Sequence, residues 1–439
     1  MYENVDPCSL ATYVRLAPFS RRRLLANFVG DESQRAGTNI KKVKTMRIAL
    51  IDTNPKPKVY PVALLKLGAW RRKKGDECVL FANTLPKPGE FDTIWLTTTF
   101  TYDLKHSLGM AIAAKKRAER VRVGGIAATL LPEVFRKHKI DVHEGLVPEA
   151  EECAPDYRLL PEPPEYAITH TSRGCVRKCD FCMVKKLEPR FESRGKWEND
   201  LPKDTTRVLF YDNNWLAKPI RALKADTDKL RALKKAGRVD WIDFNQGLDA
   251  RLMKGQRAEL LRDLPFAFLR FAFDGMHEDG HFQEAIKNTR AIGYRNVRTY
   301  VLYNFRDTPS DFYYRLRECA RLSEEFDMSV TAFPMRYQPI AEADLGRNYV
   351  GKHWTERMKK NFMMYTTTIS SGAMFSFGGS PSIGMSRIDE FEFWLGKDEH
   401  EFLRLLNYPK LSALLKRKKV DLRMRRAHAN EAKRKGKTK

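Results

Sequence analysis

For a chain of 439 residues there is little cysteine, seven in all, and so no disulfide scaffold. No apolar run reaches the 18 or so residues that a membrane-crossing helix needs. Near the N-terminus Arg21-Arg22-Arg23 is present, but no apolar stretch of the signal-peptide kind accompanies it. Reduced thiols and no export signal lead to the expectation of a cytoplasmic protein. No repeat with a period of roughly 20–50 residues is found, which argues against a solenoid. Negative charge is also scarce: 55 Asp and Glu face 80 Lys and Arg, for a net charge of +25. The length exceeds one ordinary domain and is enough to bury substantial cores.

Three of the seven cysteines stand together, in Arg173-Gly-Cys-Val-Arg-Lys-Cys-Asp-Phe-Cys-Met. Cys175, Cys179 and Cys182 are spaced C-x3-C-x2-C, with an aromatic, Phe181, just before the last thiol. A loop of this kind can wrap three thiolates around one inorganic cluster. A [4Fe-4S] cluster normally takes four, so three leave one iron open for chemistry. A structural zinc completed from elsewhere, or unrelated thiols, are the plainer readings. Zinc sites usually show two paired units. The other cysteines (Cys8, Cys78, Cys153, Cys319) are scattered and offer no second pair.

Around this loop the chain alternates short apolar runs with helical periodicity. Strands are expected at 46–53, 77–81, 92–98 and 121–125, with helices at 60–74 and 104–118. That is the pattern of a doubly wound parallel sheet, with any crevice at the strand C-ends. An acidic, proline-rich linker is expected at 146–165, too dense in proline for regular structure. From 166 six strand–helix units follow, with strands at 166–171, 207–212, 241–246, 268–274, 297–304 and 329–336. They fit a partial (β/α)6 barrel, whose chemistry belongs at the strand C-ends. Helices are expected at 227–236, 251–263, 280–292 and 309–325. The alternation stops near 340. Residues 341–415 read as a small, mostly helical cap or substrate region, and 1–45 and 416–439 as a basic leader and a basic tail. The fold class is thus α/β, with an N-terminal doubly wound parallel sheet, a partial barrel and a small helical C-terminal region.

With the three-cysteine spacing and this alternation, the chain resembles the radical S-adenosylmethionine superfamily over roughly residues 46–340. The resemblance implies that the open iron chelates the amino and carboxylate groups of S-adenosylmethionine. It also implies a one-electron reductant such as a flavodoxin or ferredoxin. The N-terminal part resembles the cobalamin-binding-like domain that precedes many such cores, through Asn54-Pro-Lys-Pro, Pro61 and Val123-Gly-Gly. The ligating Asp-x-His-x-x-Gly motif is absent, and His106 and His138 lie outside any such context, so bound cobalamin is not expected. A second three-Cys cluster, usual for methylthiolation, cannot be proposed from Cys8, Cys78 and Cys153.

The strand ends are polar. The second closes on Asp212-Asn213-Asn214, where the resembled family binds the methionyl amino group, here without that family's glycines and glutamate. Asn245 and Gln246 close the third strand. Arg270 and Asp274 lie on the fourth and Asn304 on the fifth. These residues, with Phe181, are candidates for cofactor binding, since Arg suits a carboxylate and Asp or amides an ammonium. Tyr300, Arg336, Tyr337 and Gln338 are the catalytic or substrate candidates. Asp249, Asp307 and Asp311 read more simply as caps.

The charge favours polyanions through counterion release, and basic arms often contact nucleic acid. The sequence reading is therefore a radical enzyme acting on a tRNA or DNA base. A small molecule or peptide substrate is the alternative, and a non-catalytic nucleic-acid-binding protein with a structural cluster a third.

Overall fold

A computed structural model describes residues 45–55, 59–341, 347–372 and 387–435. The basic leader, most of the Ser/Gly-rich stretch at 370–384 and the last four residues of the tail lie outside the described residues. No described helix is long and apolar enough to cross a membrane.

The first unit is a five-stranded sheet of β1 (Arg47–Asp52), β2 (Glu77–Ala82), β3 (Thr93–Thr97), β4 (Arg120–Gly124) and β5 (Asp141–Val142). Its order is β2-β1-β3-β4-β5 and every pairing is parallel. Central β1 reads Ile-Ala-Leu-Ile after Arg47 because helices cover both faces, so polar alternation has no place there. The chain leaves β1 on one side and returns on the other, which puts a topological switch point at the C-ends of β1 and β3. Short β5 was absent from the sequence reading. Gly125 turns β4 into the next helix at φ +96°, where a Cβ would meet the Thr98 carbonyl at 2.6 Å.

Asp52 lies at that switch point, 5% exposed. Burial raises its pKa to about 6, with Asp103 adding to the effect and the bond from Asn54 N opposing it. The unfolded chain therefore loses this proton near pH 4 and the folded one near pH 6, so stability falls as pH rises through that window. Asp52→Asn keeps an oxygen for Asn54 N. It should raise stability at neutral pH by about 1–3 kcal/mol and flatten the pH 4–6 slope of the denaturation midpoint. An unchanged slope would refute this.

The expected linker is not devoid of structure. Pro148–Glu151 forms a helical turn, with Pro at a first-turn position that needs no N–H, and Tyr157–Leu159 a 3-10 turn. Asp156 anchors the segment through Arg72 and Arg158, at 2.8 and 2.7 Å.

The second unit holds β6 (Ala167–Thr169), the pair β7 (Ser172–Arg173) and β8 (Glu192–Ser193), then β9 (Arg207–Phe210), β10 (Trp241–Phe244), β11 (Leu269–Ala272), β12 (Asn296–Tyr303) and β13 (Ser329–Arg336). Two parallel three-stranded sheets run β6-β9-β10 and β11-β12-β13. Parallel bridges Ile242–Phe266 and Leu248–Phe271 join their edges. The spatial order is the sequence order, as in a partial barrel. β7 and β8 pair antiparallel beside it. The expected helix at 251–263 is broken into Ala250–Leu252 and Gly255–Glu259. The helix expected at 227–236 begins earlier, at Ile220.

The C-terminal helices Glu356–Gly372, Ile388–Leu395, Glu399–Leu406 and Leu411–Lys435 close the fold. Phe362, Tyr365, Phe391, Phe402, Leu411 and Leu415 join the barrel's own hydrophobic core, so this region is a packed cap.

Candidate active site

The thiol loop is held at both ends before any metal is considered. β6 is followed by His170, Thr171 and Ser172, all buried. Gly174 follows at φ +74°, where a Cβ would sit 2.0 Å from the Arg190 carbonyl, so only glycine fits. Glu188 closes the loop from its far side. It accepts from Gly174 N at 2.7 Å, from Arg173 Nη1 at 2.8 Å and from Asn213 Nδ2 at 2.8 Å. Arg173 also reaches Glu151 at 2.7 Å, and Glu151 takes the buried Lys66 at 3.2 Å. The first unit thus grips the loop through Glu151. Burial and the cations Arg173, Lys66 and Arg194 push the His170 pKa far down, so this imidazole is neutral.

The three thiols are half-buried. Cys175 Sγ accepts from Arg177 N at 3.3 Å and Asn214 Nδ2 at 3.6 Å. Cys182 N donates to the Cys179 carbonyl at 3.1 Å. Burial raises the pKa of Cys179, with Cys182 adding and Arg251 opposing; burial also raises that of Cys182. A bound metal would reverse this by deprotonating coordinating thiols outright. Phe181 packs edge-on against Phe305, which leans on Tyr337, with centroids at 5.8 and 4.5 Å. Asp180 pairs with Arg306 at 2.6 Å. The loop is thereby fastened to the C-ends of β12 and β13.

Beside it runs a charged chain that the sequence did not reveal as one unit. Asp249 is a cap, accepting from Arg251 N at 3.2 Å, as expected. It also accepts from Arg177 Nε at 2.8 Å and Asn214 Nδ2 at 3.2 Å, which ties the β10 end to the thiol loop. Glu278 takes Asp274 N at 2.6 Å. Burial first, and Glu278 second, raise the Asp274 pKa, so this carboxyl holds a proton more firmly than usual. Both Cys179 and Cys182 feel its charge. Asp307 accepts from Phe305 N at 3.0 Å, and Asp311 forms a capping box with Thr308, as expected of caps.

Several assignments need correcting. Asp212 does not face a cofactor. Its oxygens are filled by Thr171 N at 2.9 and 3.1 Å, Thr171 Oγ1 at 2.8 Å and Ser172 Oγ at 2.6 Å. It positions the start of the thiol loop. The Arg270 fork is taken by Asp243 at 2.7 and 2.6 Å inside the barrel, leaving no bidentate face for a cofactor carboxylate. Tyr300 donates to the Asn245 carbonyl at 2.7 Å and accepts from Arg270 at 3.0 Å, so its hydroxyl is structural. Asn304 holds φ +67° and binds the Tyr337 and Tyr349 carbonyls and Gly351 N, at 3.2, 3.3 and 2.8 Å, pinning the next segment. Asn213 serves Glu188, and Gln246 is exposed. Asn245 is buried at the β10 end.

Three of the remaining candidates hold buried polar atoms without a hydrogen-bond partner among the described residues. Asn214 is 3% exposed, stands beside Cys175, and its Oδ1 has no hydrogen-bond partner. Arg336 Nη1 meets Met363 Sδ at 3.3 Å while its Nε is unpartnered. Both polar atoms of Gln338 are buried and unpartnered. Tyr337 packs between Phe305 and Tyr349.

The donor set fits a [4Fe-4S] cluster. Three thiols share one short loop, and a bare buried acceptor, Asn214 Oδ1, stands beside the first, suited to an ammonium. Among the described residues no three His, Cys, Asp or Glu gather tightly enough to hold a single metal ion. A cluster spreads its thiolates over different irons.

A three-thiol loop on a partial parallel barrel, behind a doubly wound sheet, is the arrangement that the resemblance to the radical S-adenosylmethionine superfamily implies. A ribosomal protein uS12 methylthiotransferase, RimO of Chlorobium limicola (strain DSM 245 / NBRC 103803 / 6330), is 32% identical over 117 residues, which are 22% of this chain and 27% of that protein. RimO of Stenotrophomonas maltophilia (strain K279a) is 31% identical over 84 residues, 18% of each chain. The chain therefore spans about a quarter or less of the length of these curated relatives. The radical S-adenosylmethionine methyltransferase TsrM from Kitasatospora setae, solved with cobalamin and a [4Fe-4S] cluster, shares the fold. Its TM-score is 0.51 at 11% identity, over 66% of this chain and 75% of that one. TsrM with tryptophan and an aza analogue of S-adenosylmethionine matches equally, covering 73% of its own chain. No known family profile matches the chain.

Proposed function

We propose that this protein cleaves S-adenosylmethionine reductively and uses the resulting radical to modify a base in a tRNA or DNA. When bound, the cluster supplies one electron that splits S-adenosylmethionine into methionine and a 5′-deoxyadenosyl radical. The observation that carries the catalytic reading is the thiol loop at the barrel's C-terminal mouth with the bare Asn214 oxygen at its side. The chain's own residues bind and orient. Asn214 would take the methionyl ammonium, Phe181 and Tyr337 wall the loop, and the packed cap limits water access. Asp274 and Arg336 remain proposed contacts for cofactor and substrate.

Independence from cobalamin belongs to the same proposal. His106 is exposed and bonded to Asn83 at 2.6 Å, and His138 is exposed. TsrM was solved with cobalamin, so the corrinoid content of purified protein decides this point.

Charge supports the nucleic-acid part, at +25 overall. The final helix, Leu411–Lys435, is anchored by Leu411 and Leu415 but exposes Val420 and Met424. Lys418 Nζ binds the carbonyls of Phe393 and Trp394, so it belongs to the fold. A truncation that spares the cap therefore begins at Leu422 and removes eight Lys and Arg. Full-length protein should bind RNA or DNA with affinity falling steeply as salt rises, each phosphate contact adding about −0.7 to −0.9 to the log–log slope. The truncated chain should show a smaller slope and unchanged cofactor cleavage. A full-length protein with no salt-dependent binding would leave a peptide or small molecule as substrate. The matches to enzymes of a ribosomal protein and of tryptophan favour that second reading.

A further inference from the structure

Asp249, in the segment that follows β10, stands between two guanidinium groups. Its Oδ2 accepts from Arg177 Nε at 2.8 Å and its Oδ1 from Arg251 Nε at 2.7 Å. One buried carboxylate thus holds two cations against the thiol loop. Arg177 lies between the first two thiols, and its backbone N donates to Cys175 Sγ at 3.3 Å. Asn214 Nδ2 joins the same two groups, Cys175 Sγ at 3.6 Å and Asp249 Oδ2 at 3.2 Å. Arg251 acts on the second thiol. Burial raises the Cys179 pKa, Cys182 adds to it, and Arg251 opposes both, acting more strongly than Asp274, which also raises it. Glu278 is a more distant partner, 3.6 Å from Arg251 Nη2. Capping does not explain the two cations. The Asp249 carboxylate already caps this turn by accepting from Arg251 N, and neither guanidinium takes part in that bond.

We propose that Arg177 and Arg251, held at the thiol loop by Asp249, raise the reduction potential of the cluster that the thiols carry. Three thiolates contribute negative charge to the cluster, and the electron taken from a one-electron donor adds more. A cation nearby therefore stabilises the reduced form more than the oxidised one. Net charge, hydrogen bonds to the sulfurs and solvent exposure are the levers that set such potentials. Here the two cations and the N–H donors on Cys175 act in the same direction. Solvent screens part of the effect. The Arg177 side chain is 37% exposed and that of Arg251 21%, so the larger contribution belongs to Arg251. This rests on the cluster reading above and names the side chains that set how readily the cluster accepts its electron.

The test is a redox titration of the full-length, anaerobically reconstituted protein without S-adenosylmethionine, followed by the paramagnetic signal of the reduced cluster. Arg251→Met should lower the midpoint. The ratio of reduced to oxidised cluster at a given potential should fall about tenfold, which is about 59 mV for one electron. Arg177→Met keeps its backbone N–H on Cys175 and should give a smaller fall in the same direction, about threefold because of its greater exposure. Arg251→Lys keeps the charge and should hold the midpoint near that of wild type. Should Arg251→Met fail to fold or to take up iron, the more exposed Arg177→Met carries the test alone. Midpoints unchanged in the Met variants overturn the assignment. A fall in Arg251→Lys equal to that in Arg251→Met would trace the effect to packing and also overturn it. A wild-type protein that takes up no iron overturns the cluster reading itself.

Discussion

Replacing Cys175, Cys179 and Cys182 together by Ala should leave a folded protein with no iron, no thiolate–iron absorbance and no cleavage of S-adenosylmethionine above background. The expectation follows from the loop's construction. Its shape is held by Glu188, Asp212 and Arg173, not by the thiols, which are half-exposed. Their removal costs little buried surface, and surface changes of this kind usually stay within about 0.5 kcal/mol. The denaturation midpoint should therefore match that of wild-type apoprotein while iron content falls to zero. Iron retained at wild-type level by the triple variant would mean that other side chains hold it.

Asp212→Ala should be the most damaging single change away from the thiols. The side chain is fully buried and accepts four bonds from three donors, Thr171 N, Thr171 Oγ1 and Ser172 Oγ. Burial pushes its pKa up, while those bonds and nearby Lys218 pull it back. Truncation leaves three buried donors bare at about 1–3 kcal/mol each, or roughly 3–6 kcal/mol in total after partial relaxation. It also frees the residues that lead into Arg173-Gly174-Cys175. Both the denaturation midpoint and reconstituted iron content should drop. Asp212→Asn keeps one acceptor and should fall between. Wild-type stability and full iron loading in Asp212→Ala would show that the loop needs no such anchor.

The parts legible in the sequence were those set by local pattern. Apolar runs alternating with helical periodicity foretold β1 to β4 and the six barrel strands, because buried parallel strands are apolar throughout. The thiol loop was legible from spacing alone. The ring of strand-end residues was legible only as positions. Residue type could not say that Arg270 would spend its fork on Asp243, nor that Tyr300 would serve a backbone carbonyl 55 residues away in sequence. Asp212 and Asn304 sit at the expected strand ends, yet each turns back to pin its own chain. Glu151, read only as part of the acidic linker, and Glu188 were given no role at the site because that role depends on contacts with Arg173 across the fold. The one available signal was the Arg173-Gly174 pair, a cation and a positive-φ residue immediately before the first thiol.

The central claim is that the thiols hold a cluster with an iron open to S-adenosylmethionine. Electron paramagnetic resonance of the anaerobically reconstituted, reduced protein, recorded with and without S-adenosylmethionine, tests it most directly. The account predicts about four irons per chain, a reduced-cluster signal that changes when S-adenosylmethionine is added, and release of methionine with 5′-deoxyadenosine in equal amounts. Tightly bound zinc without iron, or a cluster signal indifferent to S-adenosylmethionine, would contradict it.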